Sequence, residues 1–293
     1  MERYKLLTAV AAVLLLPMAA GAQTLRGDFN MDGRVNISDV TAMANYLSTG
    51  TLGEVSPADR DTLTVNGVSF VMVRVKGGTY TLKYGKVRTI PDFWIGETEV
   101  TNELWWAVMG NEDHHNTNSP GNAVNGLTWF DCQAFTDSLS RLTGRNFRLP
   151  YADEWRFAAS GGTLTRGYRY CGSDDINEVA MYSGTSSGLV NGQYFAVCTK
   201  APNELGLYDM SGCVAELVQE MEQDSTDYGR VVYAEWAFGG CWRDAEDRCR
   251  PTSNYTLSWS DVSYPSRQYD CGMRLVIPTS DEPWEFIEWP EFY

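Results

Sequence analysis

Twelve residues near the start of the chain, Asp28-Phe29-Asn30-Met31-Asp32-Gly33-Arg34-Val35-Asn36-Ile37-Ser38-Asp39, carry the oxygen donors that a hard cation needs. Asp28, Asn30, Asp32, Asn36 and Asp39 stand at loop positions 1, 3, 5, 9 and 12. Gly33 at position 6 permits the sharp turn between them. Arg34 at position 7 donates its backbone carbonyl, so side-chain identity does not matter there. Val35 follows as the apolar residue that ties such a loop into a core. Ca²⁺ is the expected ion. Position 12 is an aspartate where loops of this spacing usually carry glutamate.

The second chemical resource is sulfur: seven cysteines, at 132, 171, 198, 213, 241, 249 and 271. No pair has Cys-x-x-Cys spacing, which argues against a zinc ribbon or a thioredoxin-like site. The first 22 residues decide how the thiols are read. Arg3 and Lys5 precede an apolar run from Leu6 to Leu16, and Ala20-Gly21-Ala22 supplies small residues before Gln23, the pattern of a cleavable secretory signal. No cysteine lies near that site, so a lipid anchor is not expected. The expected protein is bacterial, exported and soluble, whether secreted or periplasmic. In an oxidising compartment most thiols should pair, and an odd count leaves at least one free. The two histidines, His114 and His115, are adjacent, so a multi-histidine metal centre cannot be built from them. The run Glu112-Asp113-His114-His115 reads as a solvated loop.

Composition narrows the classes further. Over 293 residues the net charge is −15, the wrong sign for neutralising phosphates, so a nucleic-acid partner is excluded. Adhesion to anionic lipid is disfavoured for the same reason. No stretch after the signal is apolar for the roughly 18 residues a membrane span needs. With 43% apolar residues the chain has enough material for a core. Ten tryptophans and 27 glycines point to a loop-rich fold, with aromatic side chains filling irregular gaps.

These residues need elements to hold them. After the cation loop, Ile37, Val40, Ala44 and Leu47 recur at helical spacing, and Gly50 stands where a C-cap belongs. Residues 23–50 thus form a loop–helix module, and 51–64 read as a connector. From Val65 the chain reads as short strands and turns. Val68–Val73 is an apolar strand, Gly77-Gly78 turns it, and Asp92–Gly96 enters another. Thr101 is the N-cap of a helix through Trp106. Trp129–Leu142 is a second helix, with Phe130, Phe135, Leu139 and Leu142 expected inward. A third begins at Asp153 after Pro150. The tail 279–293 carries five acids and five aromatics from Asp281 onward. No internal repeat is evident.

The loop–helix module resembles one repeat of a dockerin, the module that docks secreted enzymes onto cohesins. A dockerin carries two repeats, and Ala58-Asp59-Arg60-Asp61 lacks the spacing and the glycine of a second. The resemblance implies a cohesin-like or surface protein as partner.

Further on, Ile95-Gly96-Glu97-Thr98-Glu99-Val100-Thr101-Asn102 is followed by Arg148-Leu149-Pro150-Tyr151-Ala152-Asp153-Glu154-Trp155. Then come Asn203-Glu204-Leu205-Gly206-Leu207-Tyr208-Asp209-Met210-Ser211-Gly212, Gly239-Gly240-Cys241-Trp242 and Gly272-Met273-Arg274-Leu275. This order resembles the sulfatase-modifying-factor, or formylglycine-generating enzyme, family over 65–278. The resemblance implies an α+β fold, a loop-rich variant of the C-type-lectin fold with small antiparallel sheets and few helices.

The family's namesakes oxidise a sulfatase cysteine to formylglycine, using two nearby cysteines that hold copper. Soft thiolates suit Cu(I). Here Cys241 stands in the motif's serine position, Asp244 or a neighbour replaces the first catalytic cysteine, and Cys249-Arg250 looks like the Cys-Arg of relatives without the active pair. Cys241 and Cys249 are therefore the candidate catalytic residues, and copper is expected only if they pair. A second branch uses three histidines for iron, which this chain lacks.

The family also binds structural calcium near a Gly-Asn-Val-Trp-Glu-Trp motif. In Gly212-Cys213-Val214-Ala215-Glu216-Leu217 the glutamate is kept, making Cys213 and Glu216 candidates for a second calcium site. Fold analogy implies the disulfides Cys213–Cys241, Cys132–Cys271 and Cys171–Cys198, with Cys249 free. Tyr255, Trp259 and Tyr264 lie where catalytic relatives hold a substrate peptide, and are candidates to grip a glycan or peptide.

Taken together, these residues lead to an expectation of an exported, calcium-bearing binding module of an extracytoplasmic assembly. The alternatives are a formylglycine-generating or related oxidase, and a structural subunit of a surface complex.

Overall fold

The computed structural model describes residues 59–279, apart from 82–84, 86, 111–118, 188, 190–194, 226–230, 257–259 and 262–269. The export signal, the cation loop with its helix, most of the connector, His114, His115, Trp259, Tyr264 and the tail from residue 280 lie outside them. The described residues all belong to one compact unit, Glu54–Tyr293.

A four-stranded antiparallel sheet forms the frame, in the order β1 (Arg60–Val65), β2 (Val68–Val75), β5 (Phe93–Gly96), β13 (Val276–Pro278). Successive side chains of a strand point to opposite faces, and β2 uses both. Met72 packs with Leu104, Trp105, Phe135 and Met273 on one side. Val73 and Val75 pack with Phe93, Ile95, Trp155 and Phe238 on the other. Core on both faces explains why this strand is an apolar run and not an alternating one. A short ribbon, β3 (Gly78–Thr81) with β4 (Val87–Ile90), follows β2; Gly78, expected in a turn, is its first strand residue.

Three helices clamp the frame. Helix α1 spans Asn102–Met109; Thr101 caps it by accepting the Leu104 N–H, and Gly110 closes it in a left-handed conformation. Helix α2 spans Trp129–Thr143, with Thr128 and Asp131 in a reciprocal capping box. Trp105 stacks on Phe135 where the two helices meet, with ring centroids 4.9 Å apart. The inward face of α2 is Cys132, Phe135, Thr136 and Leu139. Phe130 and Leu142 were expected there, yet they are 39% and 52% exposed. The buried stripe runs i, i+3, i+4, i+7 from Cys132, and the two larger hydrophobes sit beside it. Helix α3 spans Ala152–Ala159 and buries most of its length. Two four-residue helices, α4 (Ile176–Val179) and α5 (Ser183–Ser186), lie in the loops that follow.

The second sheet runs β10 (Asn254–Thr256), β9 (Val231–Phe238), β8 (Ala215–Ser225), β12 (Cys271–Met273), with β11 (Ser260–Asp261) also pairing β9. β12 joins β8 in parallel and the remaining pairs are antiparallel. β6 (Ala180–Met181) and β7 (Ser211–Gly212) make a two-residue parallel ribbon that delivers the chain into β8. Gly212 is obligatory in it: its backbone is left-handed (φ +80°), and a Cβ would collide with the Met181 carbonyl. Among the described residues, no helix is long and apolar enough to cross a membrane.

Candidate functional site

The two sheets meet around one buried guanidinium. Arg274, fully buried, follows β12 and points back into the molecule. Its Nε and Nη2 donate to Glu216 on β8 at 2.7–3.0 Å, Nη1 donates to the Gly96 carbonyl at 2.8 Å, and Nη2 donates to the Tyr208 carbonyl at 2.8 Å. Trp155 of α3 donates its indole N–H to Glu216 at 2.6 Å. Four of the sequence motifs therefore converge on one charge-assisted network. Burial alone would lower the guanidinium's pKa, but Glu216 and Glu99 hold it above its usual range.

Glu216, a candidate calcium donor by resemblance, is thus occupied otherwise. Both of its oxygens accept hydrogen bonds from Arg274. It completes the arginine network.

Two further carboxylates have no such match. Glu99 is 1% exposed, and neither of its oxygens has a hydrogen-bond partner; the nearest Arg274 nitrogen is 3.9 Å away. Asp209, also buried, accepts the Cys198 N–H at 2.7 Å. One arginine faces three carboxylates, so two negative charges stay uncompensated in a site shielded from water, an arrangement that proteins avoid. Burial, then Asp209, pushes the Glu99 carboxyl well above its ordinary range. Burial, against the Cys198 N–H, pushes Asp209 up to about 6. The backbone contributes strain as well. Asp209, Cys213 and Cys198 all have φ near +60° without being glycine, which costs roughly 1–2 kcal/mol each. Glu99 and Asp209 are hard oxygen donors whose charged forms burial disfavours, and a bound calcium ion would favour those forms. The buried acids Glu99 and Asp209 stand beside Cys213 and Glu216, the residues expected to hold the ion.

The cysteines are all thiols in the structure, six of them buried. The pairs Cys213–Cys241, Cys132–Cys271 and Cys171–Cys198 are not formed in it. The backbone closeness behind the first is real: Gly212 donates to the Gly239 carbonyl at 2.8 Å, and Trp242 to the Cys213 carbonyl at 2.9 Å. The side chains diverge, however. Cys213 lies beside Glu99 and Asp209, while the Cys241 sulfur faces Asp270 at 3.5 Å. The Cys171 thiol points to the Met210 carbonyl at 3.1 Å.

The candidate catalytic thiols, Cys241 and Cys249, flank Asp244. Burial, then Asp244, raises the Cys241 thiol far above its ordinary range, and the same two causes push Cys249 up to about 12. A copper ligand must be a thiolate. Protonated, buried thiols beside a carboxylate do not fit Cu(I), and we derive no oxidase step through them. Among the described residues, no cluster of three or more His, Cys, Asp or Glu side chains has metal-binding geometry.

Of the candidate ligand-gripping residues, Tyr255 lies on β10, whose backbone pairs with Ala237 of β9 at the edge of the second sheet. Trp259 and Tyr264, like Asp28, Asn30, Asp32, Arg34, Asn36 and Asp39, lie outside the described residues. Glu99, Asp209 and Arg274 were not singled out from sequence. Each sits inside a quoted motif, so position alone carried the signal.

Comparison with known proteins completes the description. The chain matches the model of the sulfatase-modifying factor enzyme 1-like domain over residues 64–278. The chaperone protein LppX of Paenibacillus barcinonensis is 28% identical over 291 residues, covering 81% of this chain and 96% of that protein. Variable protein 1 of Treponema denticola superposes with a TM-score of 0.61 at 24% identity, covering 76% of this chain and 99% of that one. PvdO of Pseudomonas aeruginosa superposes at 0.56 with 16% identity, covering 74% and 97%. At these identities the structural likenesses speak to fold alone.

Proposed function

This chain belongs to the sulfatase-modifying factor family, and on that premise we propose that it is an exported, calcium-loaded binding module and not an oxidase. The observation that carries this reading is the state of Cys241 and Cys249. Both are fully buried, and burial with Asp244 nearby raises both thiols. Oxygen-activating copper chemistry needs exposed thiolates.

The binding segment is the chain from Asn254 to Tyr264, with Tyr255, Trp259 and Tyr264 gripping a glycan or peptide. The backbone of its described part pairs with β9 as β10 and β11. Calcium serves two places: the Asp28–Asp39 loop, where it orders a dockerin-like module for a cohesin-like or surface partner, and the Glu99–Asp209 pair, where it neutralises the excess buried charge. The name of the Paenibacillus relative, a chaperone protein, is consistent with a protein that acts by holding another molecule.

The test is a glycan array and a displayed-peptide library probed with the full chain in millimolar calcium. Retention of a defined ligand class, reduced at least tenfold by Trp259→Ala, is the expected result. Retention indifferent to both Trp259→Ala and Tyr255→Ala would count against the segment, and failure of every class would count against the binding reading.

A further inference from the structure

We propose that Cys171 and Cys249 form a disulfide that staples the loop after α3 to the Cys241–Arg250 segment. Ser211 of β7 sits between their main chains. It accepts the Cys171 N–H at 3.2 Å and donates its hydroxyl to the Cys249 carbonyl at 2.7 Å. One oxygen spanning the two main chains makes the two residues near neighbours in the fold. Both side chains are 3% exposed or less. Cys249 packs in an apolar cluster with Tyr170, while the adjacent Cys171 packs in the cluster of Trp155 and Phe238. The electrostatics agree with that proximity: burial dominates the rise of the Cys171 thiol to about 12, and Cys249 is among the groups that add to it. In the thiol form Cys171 donates to the Met210 carbonyl and Cys249 to the Ala245 carbonyl, so both side chains turn to close the bridge, while Cys241 faces Asp270 and Cys213 faces Glu99.

The step needs an acceptor, and a small-molecule or protein disulfide is its chemical class. One thiolate attacks the acceptor's sulfur to form a mixed disulfide, and the second thiolate displaces it. The Cys171–Cys249 S–S bond forms, the acceptor leaves as two thiols, and two electrons and two protons pass to it. Buried, protonated thiols react slowly, so the bridge closes during folding, before the Glu246–Cys249 turn packs down. The bridge would fix the approach to the Asn254–Thr256 strand, whatever that strand binds. The proposal stands or falls apart from the binding reading.

The experiment is oxidative refolding. The full chain is reduced and unfolded, refolded with mixed oxidised and reduced glutathione, alkylated, and mapped without reduction. The expected product is a peptide pair joining Cys171 to Cys249, two hydrogens lighter than its separate halves. Its melting temperature should fall by about 10 °C on reduction, given the long loop closed. Alkylation of both Cys171 and Cys249, or a bridge from either to another cysteine, would overturn the proposal. A Cys241→Ser chain should keep the bridge, and its loss there would also count against it.

Discussion

Arg274 is the residue whose loss the fold should tolerate least. Its guanidinium neutralises Glu216 and also satisfies two backbone carbonyls that have no access to water. Arg274→Ala leaves those groups buried and unmatched, and denaturant titration should show a loss of about 3–5 kcal/mol. Arg274→Lys should recover only part of it, since an ammonium cannot reproduce the fork. The acids around it predict the pH response. Burial raises Asp209 to about 6, and it raises Glu220 to about 7, even though both of its oxygens accept the Ala152 N–H. A carboxyl whose folded pKa lies above its unfolded value keeps a proton that the unfolded chain releases. Its stabilising contribution is therefore complete below about pH 4 and is lost as pH rises through 6 to 7. In chelator, Glu220→Gln should flatten the fall in denaturation midpoint over that window. An unchanged slope would contradict the assignment. Calcium should raise the midpoint at pH 7, and Glu99→Gln should abolish that rise if the ion meets the buried pair.

At the scale of elements, α2 shows what sequence could and could not reveal. Its extent was readable from the residues, because helical spacing is local, whereas its Thr128 cap was not singled out. Its inward face was not. Phe130 and Leu142 read as core by hydrophobicity, yet Cys132 and Thr136 occupy the buried stripe because the helix is rolled to stack Phe135 on Trp105. Two substitutions make this quantitative. Phe135→Ala should cost about 3–5 kcal/mol, whereas Phe130→Ala should stay within about 0.5 kcal/mol. Equal costs would mean that the face has been assigned wrongly. β2 was legible for a similar reason, as a mainly apolar run covered on both faces, whereas β1 (Arg60–Val65) falls almost wholly within residues 51–64, which read as a connector. The two-residue ribbon of β6 and β7 was not legible, since nothing in Ala180-Met181 announces a partner some thirty residues away.

At the scale of the molecule, the motifs were visible in sequence but their meeting point was not. Gly96 and Arg274 are 178 residues apart and share a hydrogen bond. No local pattern encodes that pairing, and the family resemblance supplied the fold without saying which carboxylates would be left unmatched. The net charge of −15 takes on a location here, with part of it buried at Glu99 and Asp209. Calorimetry of the whole chain should therefore find calcium uptake that falls by one ion in Asp28→Ala and by one in Glu99→Gln. Loss of neither would remove calcium from the account. The central claim, binding without oxidation, is tested most directly by co-expressing the chain with a sulfatase peptide carrying Cys-x-Pro-x-Arg and weighing that peptide by mass spectrometry. An unmodified cysteine is the predicted result, and conversion to formylglycine that disappears in Cys249→Ser would contradict it.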